Sequence, residues 1–223
     1  MSGIAFTRFF GQKKRRDLEA APFEITLYIQ NSKLRGVIRT FCGFYIRHLF
    51  FALVPNESVI AQIEMAIAKI AKSNAAFGWK IKPHRQHMTL LYIDTFEIFP
   101  ENVARNAIAA ADLVNFEAFD LTLDKAGSFP SGDVPWWLGC ENAPANLAAL
   151  RKKLVEGLHF ARQKFRGGTA FVPHVSISRK NSDFLPPASI APIHWRIDEF
   201  CLIESVLNEP DYNVLKKWKL ADV

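Results

Sequence analysis

The chain has 223 residues, 49% apolar and 13% aromatic, which is long enough to bury a core and too apolar to stay disordered. Its net charge is +6, from 28 basic and 22 acidic residues, and residues 1–45 alone hold eight basic and three acidic groups, so the rest is close to neutral. No stretch of about 20 residues stays apolar, since Arg47 and His48 interrupt the nearest candidate, Phe41 to Val54, and a membrane-spanning helix is excluded.

The first 16 residues are basic, carry no acid and include Phe6, Phe9 and Phe10. They run through Gln12-Lys13-Lys14-Arg15-Arg16 into Asp17-Leu18-Glu19. A secretory signal would need an apolar run and a cleavage site there. A transit-like presequence, a nucleic-acid-binding arm and a solvated tail all fit this stretch. The expected organisation is a poorly ordered basic extension over residues 1–45 and one domain over residues 46–223. Cys42, Cys140 and Cys201 are far apart and form no CxxC pair. They point to a reducing compartment, taken as cytoplasmic, and to no zinc site.

The domain opens on a buried-strand run, Leu49-Phe50-Phe51-Ala52-Leu53-Val54. A helix follows, with Val59, Ile60, Ile63, Ile67 and Ile70 at helical spacing. After a proline-containing turn comes a second strand, His87-Met88-Thr89-Leu90-Leu91-Tyr92-Ile93. A helix near Asn102 to Val114 and a strand through Phe119 to Leu123 complete this first lobe. The pattern then repeats at an offset of about 87 residues. Val134 to Cys140 forms the opening strand. Leu147, Leu150, Leu154, Leu158, Ala161 and Phe165 mark the helix, with Pro144 in its first turn. His174-Val175-Ser176-Ile177-Ser178 is the second strand, with Pro173 just before it. Beyond Pro186-Pro187 a long strand is expected from Trp195 to Val206, then a strand or short helix from Tyr212 to Leu220. The order argues for an α+β fold. Two pseudo-symmetric lobes of antiparallel sheet, helices outside, would flank a central cleft.

Side chains alternate across a strand, so His87 and Thr89 share one face, opposite Met88, Leu90 and Tyr92. His174 and Ser176 likewise share a face opposite Val175 and Ile177. Each strand thus has a core face and a face offering an imidazole and a hydroxyl. One such His-x-Ser/Thr is weak. Two at matching places in two β-α-β units are far more specific. Lobes related by a pseudo-two-fold axis can bring these faces together across the cleft.

These two motifs, His87-Met88-Thr89-Leu90 and His174-Val175-Ser176-Ile177, resemble the paired motifs of the RNA 2′,3′-cyclic phosphodiesterases. That family, also called 2′-5′ RNA ligases, lies within the two-histidine phosphoesterase superfamily. Further matches are Leu49 to Leu53, Trp79, Gly127-Ser128-Phe129, Trp137-Leu138-Gly139, Pro173 and Arg179. The resemblance spans roughly residues 47–220. Three departures stand out: Ser176 replaces a common Thr, the approach Lys80 to Gln86 is unusually basic, and the loop Phe129 to Asp133 lacks a basic residue. The resemblance implies hydrolysis of RNA 2′,3′-cyclic phosphate ends to 2′-phosphomonoesters, with His87 as proton donor and His174 as proton acceptor. In reverse the same pair would join a 2′,3′-cyclic end to a 5′-hydroxyl.

That chemistry suits two imidazoles, whose ordinary pKa near 6.5 lets one be neutral and the other charged. Thr89 and Ser176 are expected to donate to phosphate oxygens, and Arg179 either adds a cationic donor or is turned to solvent. Phe129 is the best-placed aromatic for base stacking; Phe50, Trp136 and Trp137 read first as core. His84 and His159 read as solvated, His48 as a strand cap or cleft rim, and His194 as lacking a hydroxyl partner. Asp94 and Asp183 read as loop residues. No metal or other cofactor is expected, and a monomer is. Two other readings are a phosphodiesterase for a small cyclic nucleotide and a non-catalytic RNA- or nucleotide-binding protein.

Overall fold

The computed structural model describes residues 23–31, 34–42, 45–168 and 171–222, with backbone only for the strands before residue 43. Those two strands, β1 (Phe23–Asn31) and β2 (Leu34–Cys42), pair antiparallel, Phe23 opposite Cys42. The chain divides into two compact units after Phe44. The basic stretch 12–16, the early phenylalanines and the Cys42 side chain lie outside what is described.

The second unit begins with β3 (Arg47–Leu53) and α1 (Glu57–Ser73). The Asn56 side chain accepts from the Val59 N–H at 3.0 Å and caps α1. Its buried stripe is Val59, Ile63, Ile67 and Ile70. Next come β4 (Trp79–Lys80), a single 3-10 turn (Pro83–Arg85) and β5 (Met88–Phe96). Then follow α2 (Glu101–Asp112), β6 (Phe119–Ser128), β7 (Trp136–Gly139) and α3 (Ala145–Phe160). The last strands are β8 (His174–Arg179), β9 (Ala188–Ile197), β10 (Glu199–Val206) and β11 (Tyr212–Lys219).

Together these strands form an antiparallel sheet in the order β11-β10-β3-β5-β8-β7-β6-β9, with β4 on β8. The fold is α+β, as the order of elements, without strict parallel alternation, predicts. One half-sheet is β11-β10-β3-β5, the other β8-β7-β6-β9. They meet at one residue pair, Met88 opposite Val175. Three connections differ from the sequence reading. β6, expected in the first lobe, pairs with β7 in the second. The long strand expected from Trp195 to Val206 breaks at Asp198, and β10 crosses back to pair with β3. And α3 stops at Phe160, where Arg162 adopts φ 53, so Phe165 lies beyond the helix it was assigned to.

The helices are exchanged between halves. α1 follows β3 but packs on β9, and α3 follows β7 but packs on β5. Their buried faces join both half-sheets in one continuous core that includes Phe51, Ile63, Met88, Leu154 and Val175. At Gly157 a Cβ would lie 2.5 Å from the Ala110 carbonyl oxygen, which lets α3 approach α2 closely. The opposite face of the first half-sheet carries a smaller cluster, Phe50, Ala52, Cys201 and Ile203, with Tyr92 and Tyr212 against it.

Candidate active site

Both histidines stand at the seam where the half-sheets meet. Met88 and Val175 turn into the core, so the residues beside them turn away from it. Antiparallel register sets the flanking residues across from one another: His87 by Ser176, and Thr89 by His174. Two imidazoles and two hydroxyls therefore form a diagonal quartet about the pseudo-two-fold axis. Thr89 and His174 line one cleft of about 320 Å³, together with Tyr92, Phe129, Arg151 and Phe171. Among the described residues, neither the Thr89 nor the Ser176 hydroxyl has a hydrogen-bond partner.

The two rings are held alike. His87 Nδ1 lies 2.9 Å from the Arg85 carbonyl oxygen, and His174 Nδ1 lies 2.7 Å from that of Val172. A carbonyl only accepts, so each Nδ1 carries its proton and donates it. Each neutral ring then keeps its Nε2 lone pair for other chemistry. The Tyr212 hydroxyl also sits 3.3 Å from His87 Nδ1. Burial lowers both pKa values below the ordinary 6.5. For His87 the result is about 4: desolvation dominates, the Arg85 carbonyl opposes it, and the charges of His174, Arg85 and Arg179 add to it. For His174 desolvation again leads, opposed by the Val172 carbonyl and reinforced by Arg179.

Aromatic rings wall the pair. Phe50 stacks on His87 with centroids 5.0 Å apart, and Tyr212 meets the same ring edge-on at 5.2 Å. Phe129 meets His174 edge-on at 4.8 Å and leans on Trp137 at 5.5 Å. Trp137 lies across the backbone of Gly127, where a Cβ would sit 2.6 Å from the indole. Trp136 is in the core, its indole N–H donating to the Asp183 carbonyl.

Arg179 is exposed, and its guanidinium lies 3.5 Å from Asp133. A bulge in the β7–β8 pairing lets Ile177 and Ser178 both turn inward, and the Arg179 charge acts on His48, His87, His174 and Tyr212. The guanidinium itself is open to solvent with Asp133 as its described partner, so its link to the histidines is the reach of its charge and not a contact.

Simple alternation misplaces Tyr92. A register shift in the β3–β5 pairing between Phe51 and Ala52 leaves Leu90 as an extra residue on β5 and brings Tyr92 opposite Phe50, onto the same side as Thr89. Its hydroxyl is 2.7 Å from His48 Nδ1 and 2.5 Å from Thr95 Oγ1. His48 is therefore inside β3, in a polar cluster. His194 does have a hydroxyl partner: Thr122, directly across β6–β9, lies 3.3 Å from its Nδ1. His84 is exposed near Asp211, and His159 packs on Phe165. Asp94 belongs to β5 and pairs with Arg166 at 2.6 Å.

Two residues escaped the sequence reading. Tyr212 left no motif to find, being placed beside His87 only by the return of the chain to the first half-sheet. Asn181 is buried beyond β8. Its oxygen accepts from the Gly78 N–H and the Ser178 hydroxyl, and its amide donates to the Val134 carbonyl. It ties the end of β8 to the loop behind Phe129. Among the described residues no cluster of three or more His, Cys, Asp or Glu is arranged to hold a metal, and no helix is long and apolar enough to cross a membrane.

A family model described as the 2′-5′ RNA ligase superfamily matches residues 61–209. No curated protein sequence matches the chain. Among solved structures, E. coli LigT complexed with 3′-AMP is 25% identical, with a TM-score of 0.64 over 79% of this chain and 99% of LigT. TT0787 of Thermus thermophilus is 26% identical, with a TM-score of 0.63 over 78% of this chain and 97% of its own. A protein described as a phosphoesterase gives 26% and 0.62, over 78% of this chain and 99% of its own.

Proposed function

As the chain belongs to the 2′-5′ RNA ligase superfamily and is a phosphoesterase of that fold, we propose that it hydrolyses RNA 2′,3′-cyclic phosphate ends to 2′-phosphomonoesters, without a metal. The observation that carries this reading is the matched pair of imidazoles at the seam, each with Nδ1 bonded to the carbonyl two residues before it, which leaves its Nε2 lone pair for proton transfer.

In this reading the cyclic phosphate sits between the rings. His174 Nε2 takes a proton from water as the water oxygen bonds to phosphorus. The bond from phosphorus to O3′ breaks, and His87 gives its proton to that oxygen. The product is a 2′-monoester with a free 3′-hydroxyl, and each histidine ends in the other's starting protonation state. Neutral His87 must first become charged. An anionic phosphate in contact with it favours the imidazolium and opposes the desolvation that lowers its pKa. Thr89 and Ser176 donate to the non-bridging oxygens, and Arg179 adds positive charge there. Phe129, edge-on to His174, offers a face for the terminal base. Reversed, the same steps join a cyclic end to a 5′-hydroxyl.

The cleft at Thr89 and His174, about 320 Å³, is at the low end for ligand sites, which keeps a small cyclic nucleotide as the second reading. Both readings are tested by EDTA-treated enzyme on a length series of cyclic-phosphate substrates. Turnover of an oligomer to a 2′-monoester, falling at least about 100-fold in His87→Ala and in His174→Ala, is expected. Equal turnover of a lone nucleotide would favour the second reading. No turnover would leave a binding protein.

A further inference from the structure

Trp79 is among the most exposed large apolar side chains described, at 69%. An indole usually buries its surface, and here it is left open to solvent. Its place follows from register. Trp79 stands directly across from Arg179 in the β4–β8 pairing, and paired residues share a sheet face. The next residue, Lys80, points to the other side, where it meets Glu64 of α1. Trp79 therefore lies on the face away from α1, the face that Arg179 shares with His87 and His174.

The surroundings of the ring are cationic. Lys180 follows β8 with φ 52, and its Nζ sits 4.2 Å from the Trp79 ring centroid. Arg179 is adjacent, and Lys82 is exposed three residues on. Of the nearby carboxylates, Asp133 faces Arg179 and Glu64 is engaged by Lys80. Lys180 covers one side of the indole, and the exposure leaves the rest of the ring to solvent. An aromatic platform set among positive charges suits single-stranded nucleic acid, which brings a base to stack and a phosphate to pair. It does not suit an acidic peptide, which offers the charge without the flat ring.

We infer that Trp79, with Lys180 and Arg179, forms a second nucleoside site that stacks the base upstream of the terminal cyclic phosphate in an RNA strand. This deepens the reading given under "Proposed function" by extending the substrate beyond the nucleotide held at the histidines. It also explains how a nearly neutral body can hold RNA, since the recognition is a local platform and not a basic track.

The test is equilibrium binding, which does not depend on turnover. The probes are adenosine 2′-monophosphate and a tri-adenylate ending in 2′-phosphate, with wild type, Trp79→Ala, Trp79→Phe and Lys180→Ala. Wild type should bind the trinucleotide more tightly than the mononucleotide. Trp79→Ala should weaken trinucleotide binding about tenfold, within what loss of one base–aromatic stack costs, and at least fivefold more than it weakens the mononucleotide. Trp79→Phe should restore most of the loss, and Lys180→Ala should weaken the trinucleotide and flatten its salt dependence. Equal weakening of both ligands, or no weakening of the trinucleotide, would overturn the inference. Binding that follows the prediction without any hydrolysis would sink the proposed chemistry while leaving this site standing.

Discussion

At the residue scale, the structure assigns unlike starting conditions to like histidines. Both imidazoles are desolvated, and His87, at about 4, is the more strongly perturbed. The free enzyme's kcat/KM should reflect these values, since one ring must be charged and the other neutral. Both pKa values lie below 6.5, so the protonated member is lost as pH rises past them. The kcat/KM profile should therefore have its optimum on the acid side of pH 6.5 and decline toward neutrality. A bound phosphate raises the imidazole pKa values, so the alkaline limb of kcat should lie at higher pH than that of kcat/KM. Both limbs are measured in one pH series at saturating and at low substrate. An alkaline limb of kcat/KM above pH 7 would contradict the burial argument. The histidines, Thr89 and Ser176 were legible because strand alternation is a local rule. Tyr92 was not, because a bulge at Leu90 in the pairing with β3 reverses its side.

At the scale of elements, the second half of the site is assembled by close packing. Gly127, on β6, stands across from Trp137, on β7. A Cβ at 127 would come within 2.6 Å of the indole, while Gly139 allows the other approach, with its own Cβ 3.1 Å from the ring. The indole supports Phe129, and Phe129 contacts His174. Gly127→Ala should cost about 1–3 kcal/mol in urea unfolding, as overpacking does, and should raise KM by displacing Phe129. Gly132→Ala is the control, because nothing lies within 4 Å of its added carbon. If both variants unfold alike, the indole is not wedged as described. The family resemblance took in Gly127, Phe129 and Trp137, but it could not reveal that they form a stack. That depends on β6 pairing with β7, a partnership between segments that the repeat had placed in different lobes.

On the scale of the whole molecule, a duplicated β-α-β unit builds a shared site by exchange. The repeat was legible because each copy carries its own apolar periodicity and its own His-x-Ser/Thr. The crossing of β6 and β10 was not, because apolar alternation says which face of a strand is buried and nothing of which edge it joins. α1 and α3 each brace the opposite half, so neither half has a complete core alone. The central claim is that this exchange fixes both rings about a single phosphorus, where they act as a unit. The decisive measurement is single-turnover hydrolysis of an RNA 2′,3′-cyclic phosphate by His87→Ala, His174→Ala and the double variant. Residues that act in one step lose their effects together, so the double variant should be no more than a few-fold slower than the slower single variant. Losses that multiply across the two substitutions would show two histidines working independently and contradict the account.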